Sequence, residues 1–174
     1  VGMLSQLTRD YLDNKKETNA FYELESNAEN IKKAISNKKG FPQNHRDVLV
    51  NVINNQYRGL SSRPVQKNID LLLDSNTFTI TTGHQLNLFT GPLYFIYKII
   101  SAIKTADFLN KEYPDNKFVP VYWMATEDHD FDEINHAYLD GKKMQWNSDQ
   151  TGMVGEFSLD GIREVVNHFC GSLG

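Results

Sequence analysis

Apolar positions along the first 75 residues recur at helical spacing. Leu4, Leu7, Tyr11 and Leu12 mark a first helix. Ser26 stands where it would cap a segment carrying Ile31, Ala34 and Ile35. Pro42 is placed to open a third helix, with Val48, Leu49, Val52, Ile53 and Tyr57 along one side. A fourth, Pro64 to Asp74, sets Val65, Ile69, Leu72 and Leu73 on one face. Polar connections at 37–40 and 61–64 separate these segments, and no repeat or low-complexity stretch interrupts them.

The pattern changes at residue 77. Thr77 to Thr82 (TFTITT) is β-branched and aromatic, which predicts a strand. Gly83 to Gly91 reads as a loop. Pro92 to about Asn110 reads as a long helix burying Ile96, Ile99, Ile100, Ile103 and Ala106, with Thr90 as its N-cap. Asp115-Asn116 turns the chain into Phe118 to Met124 (FVPVYWM), whose near-continuous apolar run suits a strand covered on both faces. Strand, helix, strand predicts a right-handed parallel βαβ unit, hence an α/β fold. Strands at Ala137 to Leu139 and Lys143 to Trp146 flank the hairpin turn Asp140-Gly141, a third is expected at Val154 to Leu159, and Gly161 to Cys170 reads as helical. The organisation expected is a helical segment over 1–75, the first part of an α/β core over 76–136, and a hairpin-rich insertion beginning at 137 and running to 174. Two parallel strands are too few for a stable doubly wound sheet. That shortfall, with a start at Val1 and an end directly after a helical pattern, reads as a piece of a longer protein.

Composition narrows the function classes. Forty per cent of the residues are hydrophobic, enough to bury a core, which excludes global disorder. The net charge of −4 leaves no basic surplus for a phosphate backbone, so nucleic acid is not the expected partner. The single cysteine, Cys170, excludes an internal disulfide and a multi-cysteine zinc site. No apolar run approaches the ~20 residues of a membrane span. No secretory pattern opens the chain. The expected location is the cytoplasm, away from membranes.

Ligands of open α/β sheets bind beyond the carboxyl ends of the parallel strands, and both predicted strands end in polar clusters. The first is Gly83-His84-Gln85-Leu86-Asn87, leading to Thr90-Gly91 before a helix. The second is Glu127-Asp128-His129-Asp130-Phe131-Asp132-Glu133. Adjacent strands would bring the clusters into one crevice, where a glycine turn admits a ligand to the backbone and a helix N-terminus offers N–H groups to an anion. Plainer readings stand beside this one. His84 can be a structural hydrogen-bonder, Thr90-Gly91-Pro92 a helix cap, and the acidic run a solvated helix start. Asp128, Asp130 and Asp132 have the spacing of a calcium loop, but Glu133 replaces its glycine and Leu139 its final carboxylate, so no stable metal is expected. No P-loop motif is present. Tyr94-Phe95 and Tyr122-Trp123 read as core or lining.

TTGHQLNLFTGPLYFIYKIISAI and VPVYWMATEDHDFDEINHAYL, in this order and spacing, strongly resemble the bacillithiol biosynthesis cysteine-adding enzyme family, in wording like its Bacteroidetes branch. YLDNKKETNAFYE and NHRDVLVNVINNQYRGL look like the upstream part of the same proteins, so the resemblance covers nearly the whole chain. It implies a Rossmann-like core akin to class I nucleotidyltransferases and aminoacyl-tRNA synthetases, preceded by helices and followed by a connective insertion. It also implies a longer protein whose carboxy-terminal coiled coil supports a homodimer. The implied activity is a ligase joining cysteine through an amide to glucosaminyl-malate, by carboxylate activation with ATP or another nucleotide, the fragment alone being inactive. In the related synthetases a His-Ile-Gly-His sequence holds ATP phosphates. Gly83 to Asn87 occupies the similar place, with Asn87 and Leu88 near where the second histidine would be.

On that resemblance, His84 and the amides around Thr90-Gly91 bind an anion, a nucleotide phosphate or the malate carboxylates. Asp128 or Asp130 holds an ammonium, and His129 accepts the proton of the attacking amine. Gln85, Asn87 and Asn135 read sugar hydroxyls, and Gly83, Glu127 and Asp132 complete the substrate-binding set. The competing readings are a nucleotide-dependent transferase of the same fold acting on another amine, a non-catalytic ligand-binding module, and metal-assisted hydrolysis by Asp128-His129-Asp130.

Overall fold

A computed structural model describes residues 4–25, 27–60 and 64–173. The chain forms two compact units, 1–63 and 64–174.

The first unit is helical. Helix α1, Gln6–Leu12, is capped by Ser5, whose hydroxyl accepts from the Thr8 amide at 3.1 Å. A short 3-10 turn, Lys16–Phe21, follows. Helix α2, Ala28–Lys38, is capped by Asn27, whose carbonyl Oδ1 accepts from the Asn30 amide at 2.9 Å; the cap expected at Ser26 lies outside the described residues. Helix α3, Gln43–Gln56, opens at Pro42 as expected. Its inward face is only partly the predicted one: Ile53 and Tyr57 are half-buried on it. Arg46 and Val50 are buried, while Val48, Leu49 and Val52 are exposed. Positions 46, 50, 53 and 57 share one helical face and 48 and 52 lie opposite. The Arg46 guanidinium reaches inward over the Phe41 ring, 5.5 Å from its centroid, so a charged residue heads the buried stripe.

The second unit carries the sheet. Helix α4, Gln66–Leu71, and the turn after it bury Ile69 and Leu72, whereas Leu73 faces out. Strands β1, Thr77–His84, and β2, Lys117–Met124, pair in parallel from Thr77 opposite Lys117 to His84 opposite Met124. The crossover between them is helix α5, Leu93–Glu112. It buries Ala102, Ala106 and Leu109, with Phe118 and Val119 of β2 also in the core. Of the expected stripe, Ala106 is buried and Ile99 half-buried, but Ile96, Ile100 and Ile103 are 38%, 46% and 42% exposed. Small side chains let a helix backbone approach its neighbour closely, and the alanine face takes that position. The Asn110 side chain completes the join. Its Nδ2 donates to the Phe118 carbonyl at 2.8 Å, and its Oδ1 accepts from the Phe118 amide at 2.9 Å. Burial along β2 is partial, with Phe118 and Val119 covered and Trp123 and Met124 exposed.

Beyond β2, the chain makes a single helical turn, α6, Phe131–Ile134, then an antiparallel hairpin of β3, His136–Leu139, and β4, Lys142–Gln145. Asp140 (φ 50°) and Gly141 (φ 76°) both take the left-handed conformation of a tight hairpin turn, as the dipeptide predicts. The strand expected at Val154 to Leu159 does not form. Val154–Glu156 is a 3-10 turn, because the Val154 and Gly155 amides donate to the Asp128 carbonyl (2.8 Å) and the Thr126 carbonyl (2.9 Å) instead of a neighbouring strand. Helix α7, Ile162–Leu173, ends the described chain, and its Phe169 ring stacks on Phe89 at 3.8 Å. Among the described residues, no helix is long and apolar enough to cross a membrane.

Candidate functional site

Strand β1 runs two residues further than its β-branched stretch, so Gly83 and His84 belong to the strand and not to the expected loop. Pairing to Trp123 and Met124 holds them there. A Cβ on Gly83 would lie 3.1 Å from both the Cβ and the carbonyl oxygen of Trp123, tighter than ordinary contact. The parallel register therefore ends both strands at one level, with the 83–91 and 125–133 segments side by side.

The His84 side chain is 7% exposed. Its ring lies 5.3 Å from that of Tyr94 and 5.8 Å from that of Phe95, both in the first turn of α5. Asn87 Nδ2 lies 3.0 Å from His84 Nδ1, and the Gln85 carbonyl oxygen lies 3.2 Å from the same ring nitrogen. The other, Nε2, lies 2.8 Å from the Tyr94 hydroxyl, and that hydroxyl donates to Glu133 Oε1 at 3.2 Å. His84 Nε2 itself stands 3.3 Å from Glu133 Oε1. Gln85, only 3% exposed, donates its Nε2 to the other carboxylate oxygen at 2.9 Å. Glu133 is thus oriented by three side chains, and of about four lone-pair positions on a carboxylate one on Oε2 is left. Burial raises the Tyr94 pKa above its ordinary value, and the Glu133 hydrogen bond and charge push the same way; with 46% of the residue exposed, solvent screens the effect. Tyr122, whose hydroxyl donates to the His84 carbonyl at 2.7 Å, is raised by burial alone.

The turn after β1 departs from the expected helix cap. Phe89, Thr90 and Gly91 have φ of 49°, 70° and 55° in succession, and α5 starts only after Pro92. A β-branched residue at positive φ is an outlier, and Thr90 makes no side-chain cap bond. The Gly91 amide donates to the Leu88 carbonyl at 2.9 Å, so it is not open to an anion. Gly91 packs on Asn87: a Cβ there would fall 2.5 Å from Oδ1 and 2.6 Å from Cγ.

The acidic segment is ordered by its own backbone. Asp128 Oδ1 accepts from the amides of His129 (2.7 Å) and Asp130 (3.2 Å), and Asp130 Oδ1 caps α6 by accepting from Glu133 N at 3.0 Å. Glu127 accepts from the Trp123 indole at 3.2 Å. Asp132 accepts from Asn135 Nδ2 at 3.4 Å, and Asn135, 2% exposed, also bonds His136 Nδ1 at 3.0 Å. His129 is exposed, and its side chain bonds none of the described residues. Nor, among the described residues, do three histidine, cysteine or carboxylate side chains converge in the manner of a metal centre.

Between the two segments lies a cleft of about 260 Å³ lined by Gly83, His84, Gln85, Lys98, Ala125, Asp128 and Glu133. Of the residues singled out from the sequence, it gathers Gly83, His84, Gln85 and Asp128, with Asn87 behind His84. Thr90, Gly91, Glu127, His129, Asp130, Asp132 and Asn135 are not among the residues that line it. Gln85, Asn87 and Asn135, expected to read sugar hydroxyls, are engaged in internal hydrogen bonds. Three residues were given no role of their own from the sequence: Glu133, named only within the acidic cluster, Tyr94, read as core or lining, and Lys98, which was not marked. Glu133 closes the acidic run, and Tyr94 and Lys98 are four apart on α5. Helical spacing pairs those two, but no local pattern points them at a carboxylate near residue 130.

Comparison with known proteins agrees with this architecture. Residues 2–174 match the family model described as bacillithiol biosynthesis BshC, N-terminal Rossmann-like domain. A Flavobacterium johnsoniae protein named "Putative cysteine ligase BshC" is 49% identical over 175 residues, covering 99% of this chain and 33% of that protein. A protein of the same name from Christiangramia forsetii is 49% identical over 180 residues, with 100% and 34% covered, and one from Bacillus cereus is 34% identical over 140, with 78% and 25% covered. The chain thus spans about a third of the length of its more similar curated relatives.

Proposed function

The chain belongs to the bacillithiol biosynthesis BshC family through the N-terminal Rossmann-like domain, and from that premise we propose that it is part of a ligase joining cysteine to glucosaminyl-malate. The observation that carries the reading is the cleft where β1 and β2 end together, with Asp128 and Glu133 on its wall. Both substrates of such a ligase bring an amine, and carboxylates fixed by hydrogen bonds are suited to hold an ammonium. Asp128 keeps one oxygen clear of the two backbone amides, and Glu133 keeps one lone-pair position. His84, Tyr94 and Gln85 act by positioning Glu133.

Forming an amide from a free carboxylate is uphill in water, so the cysteine carboxylate must be activated before the glucosamine nitrogen attacks it. The lining residues do not fit a nucleoside triphosphate. They set two carboxylates against one lysine, His84 already serves Tyr94 and Glu133, and the Gly91 amide is closed within its turn. The activating step is therefore not assigned to these residues, and the cleft is assigned the holding of a substrate ammonium.

The test is a thiol profile. Small thiols are labelled in extracts of the source organism with and without the full-length gene and identified by mass spectrometry. Loss of bacillithiol with accumulation of glucosaminyl-malate supports the ligase. An unchanged profile sinks it and favours a transferase of the same fold acting on another amine.

A further inference from the structure

Building on the ligase reading, we infer that this cleft seats the free amino acid, cysteine, as a zwitterion, with its ammonium on Asp128 and Glu133 and its carboxylate on Lys98. Two observations carry the assignment. The first is charge. The lining holds two carboxylates on one segment and a single lysine on α5, and among the described residues no carboxylate pairs with Lys98. An α-amino acid carries the complementary pair of charges, separated by one carbon. Glucosaminyl-malate would bring two further carboxylates to a wall that already has two.

The second observation is an unmet acceptor. Gln85 lines the cleft, is 3% exposed, and its Oε1 has no hydrogen-bond partner. The amide cannot simply be turned over, because that would set Oε1 against the Glu133 carboxylate that Nε2 now bonds. A buried carbonyl without a donor is costly, and an ammonium bound beside Glu133 offers the missing N–H.

The experiment is calorimetric titration of the complete gene product with L-cysteine, with cysteamine, which lacks the carboxylate, and with glucosaminyl-malate. Lys98→Met should weaken cysteine about ten-fold, the loss of one charge-assisted contact, and leave cysteamine unchanged. Glu133→Gln should weaken both and spare glucosaminyl-malate. Lys98 is exposed, so its variant stays informative even where thermal denaturation shows that Glu133→Gln has disturbed the fold. Wild-type protein that binds no cysteine, Lys98→Met that binds it normally, or losses confined to glucosaminyl-malate would each overturn the assignment. The two readings fail separately. Bacillithiol made in cells while Lys98→Met binds cysteine normally removes the subsite and keeps the ligase. A cysteine site lost in Lys98→Met, with no change in the thiol profile, removes the ligase and keeps the subsite.

Discussion

The Tyr94 hydroxyl stands between an imidazole and a carboxylate and bonds both. Removing it in Tyr94→Phe leaves His84 Nε2 to meet Glu133 directly across 3.3 Å. The expected loss is about 1 kcal/mol, the net worth of one such hydrogen bond, read from the urea midpoint. The loss should depend on pH. A tyrosine whose folded pKa is raised contributes stability that is fully present below the unfolded value, about 10, and disappears as pH rises through the folded value. The advantage of wild type over Tyr94→Phe should therefore hold up to about pH 9 and shrink as the pH rises from about 10 through the raised folded value; a gap that widens there contradicts the network. Gly91→Ala asks more of the structure. It imposes a side chain at φ 55° and drives Cβ into Asn87, whose amide nitrogen lies 3.0 Å from His84 Nδ1. About 3 kcal/mol should be lost, and a variant as stable as wild type would show that the turn is not packed this way. His129→Ala, by contrast, removes a side chain with no partner among the described residues. Stability should hold within about 0.5 kcal/mol and turnover of the complete gene product should be unchanged.

Among the elements, α5 and β2 decide where the cleft lies, and Asn110 joins them. Its amide gives β2 the donor and acceptor that a third strand would otherwise supply at Phe118. Asn110→Ala leaves both backbone groups of a residue 5% exposed without those bonds, and should cost about 2 kcal/mol, measured by thermal or urea denaturation. The existence and order of these elements were legible because periodicity and turn chemistry are local. Thr77 to Thr82 alternates and branches, Pro42 and Pro92 sit at helix starts, and Asp140-Gly141 demands two left-handed residues. What was not legible depended on partners far along the chain. Gly83 and His84 have poor strand propensity and are held by Trp123 and Met124. Hydropathy favoured the isoleucines of α5 beside Ala106, while close approach kept Ala106 and brought in Ala102 in place of Ile96, Ile100 and Ile103. Residues 154–159 have strand-like composition, yet their first amides are claimed by the loop at 126–128. The meeting of the polar clusters followed from the βαβ reading, but Glu133 bonds Gln85 across 48 residues, a contact that no window of sequence displays.

For the whole molecule, the apolar surface left outside the core is the property with a direct consequence. In the second unit, Leu93, Ile96, Tyr97, Ile100 and Ile103 on α5 and Trp123 and Met124 at the end of β2 are all more than a third exposed. Five of them repeat along one helix, so they form a continuous stripe and not the isolated apolar residues common on any surface. A parallel sheet is normally covered on both faces, and the two strands of this one keep part of that apolar character in contact with solvent. Expressed by itself, the 174-residue chain should therefore bind a hydrophobic dye such as anilinonaphthalene sulfonate and associate with rising concentration in sedimentation runs. The pair Tyr97→Lys and Ile100→Glu should lower both signals while leaving the circular dichroism unchanged, since neither residue contributes to the buried face of α5. A chain that stays monomeric and silent to the dye would mean that the stripe is not adhesive. A variant pair that unfolds the protein would mean that these positions are packed, and that the alanine face is not what seats α5 against β2.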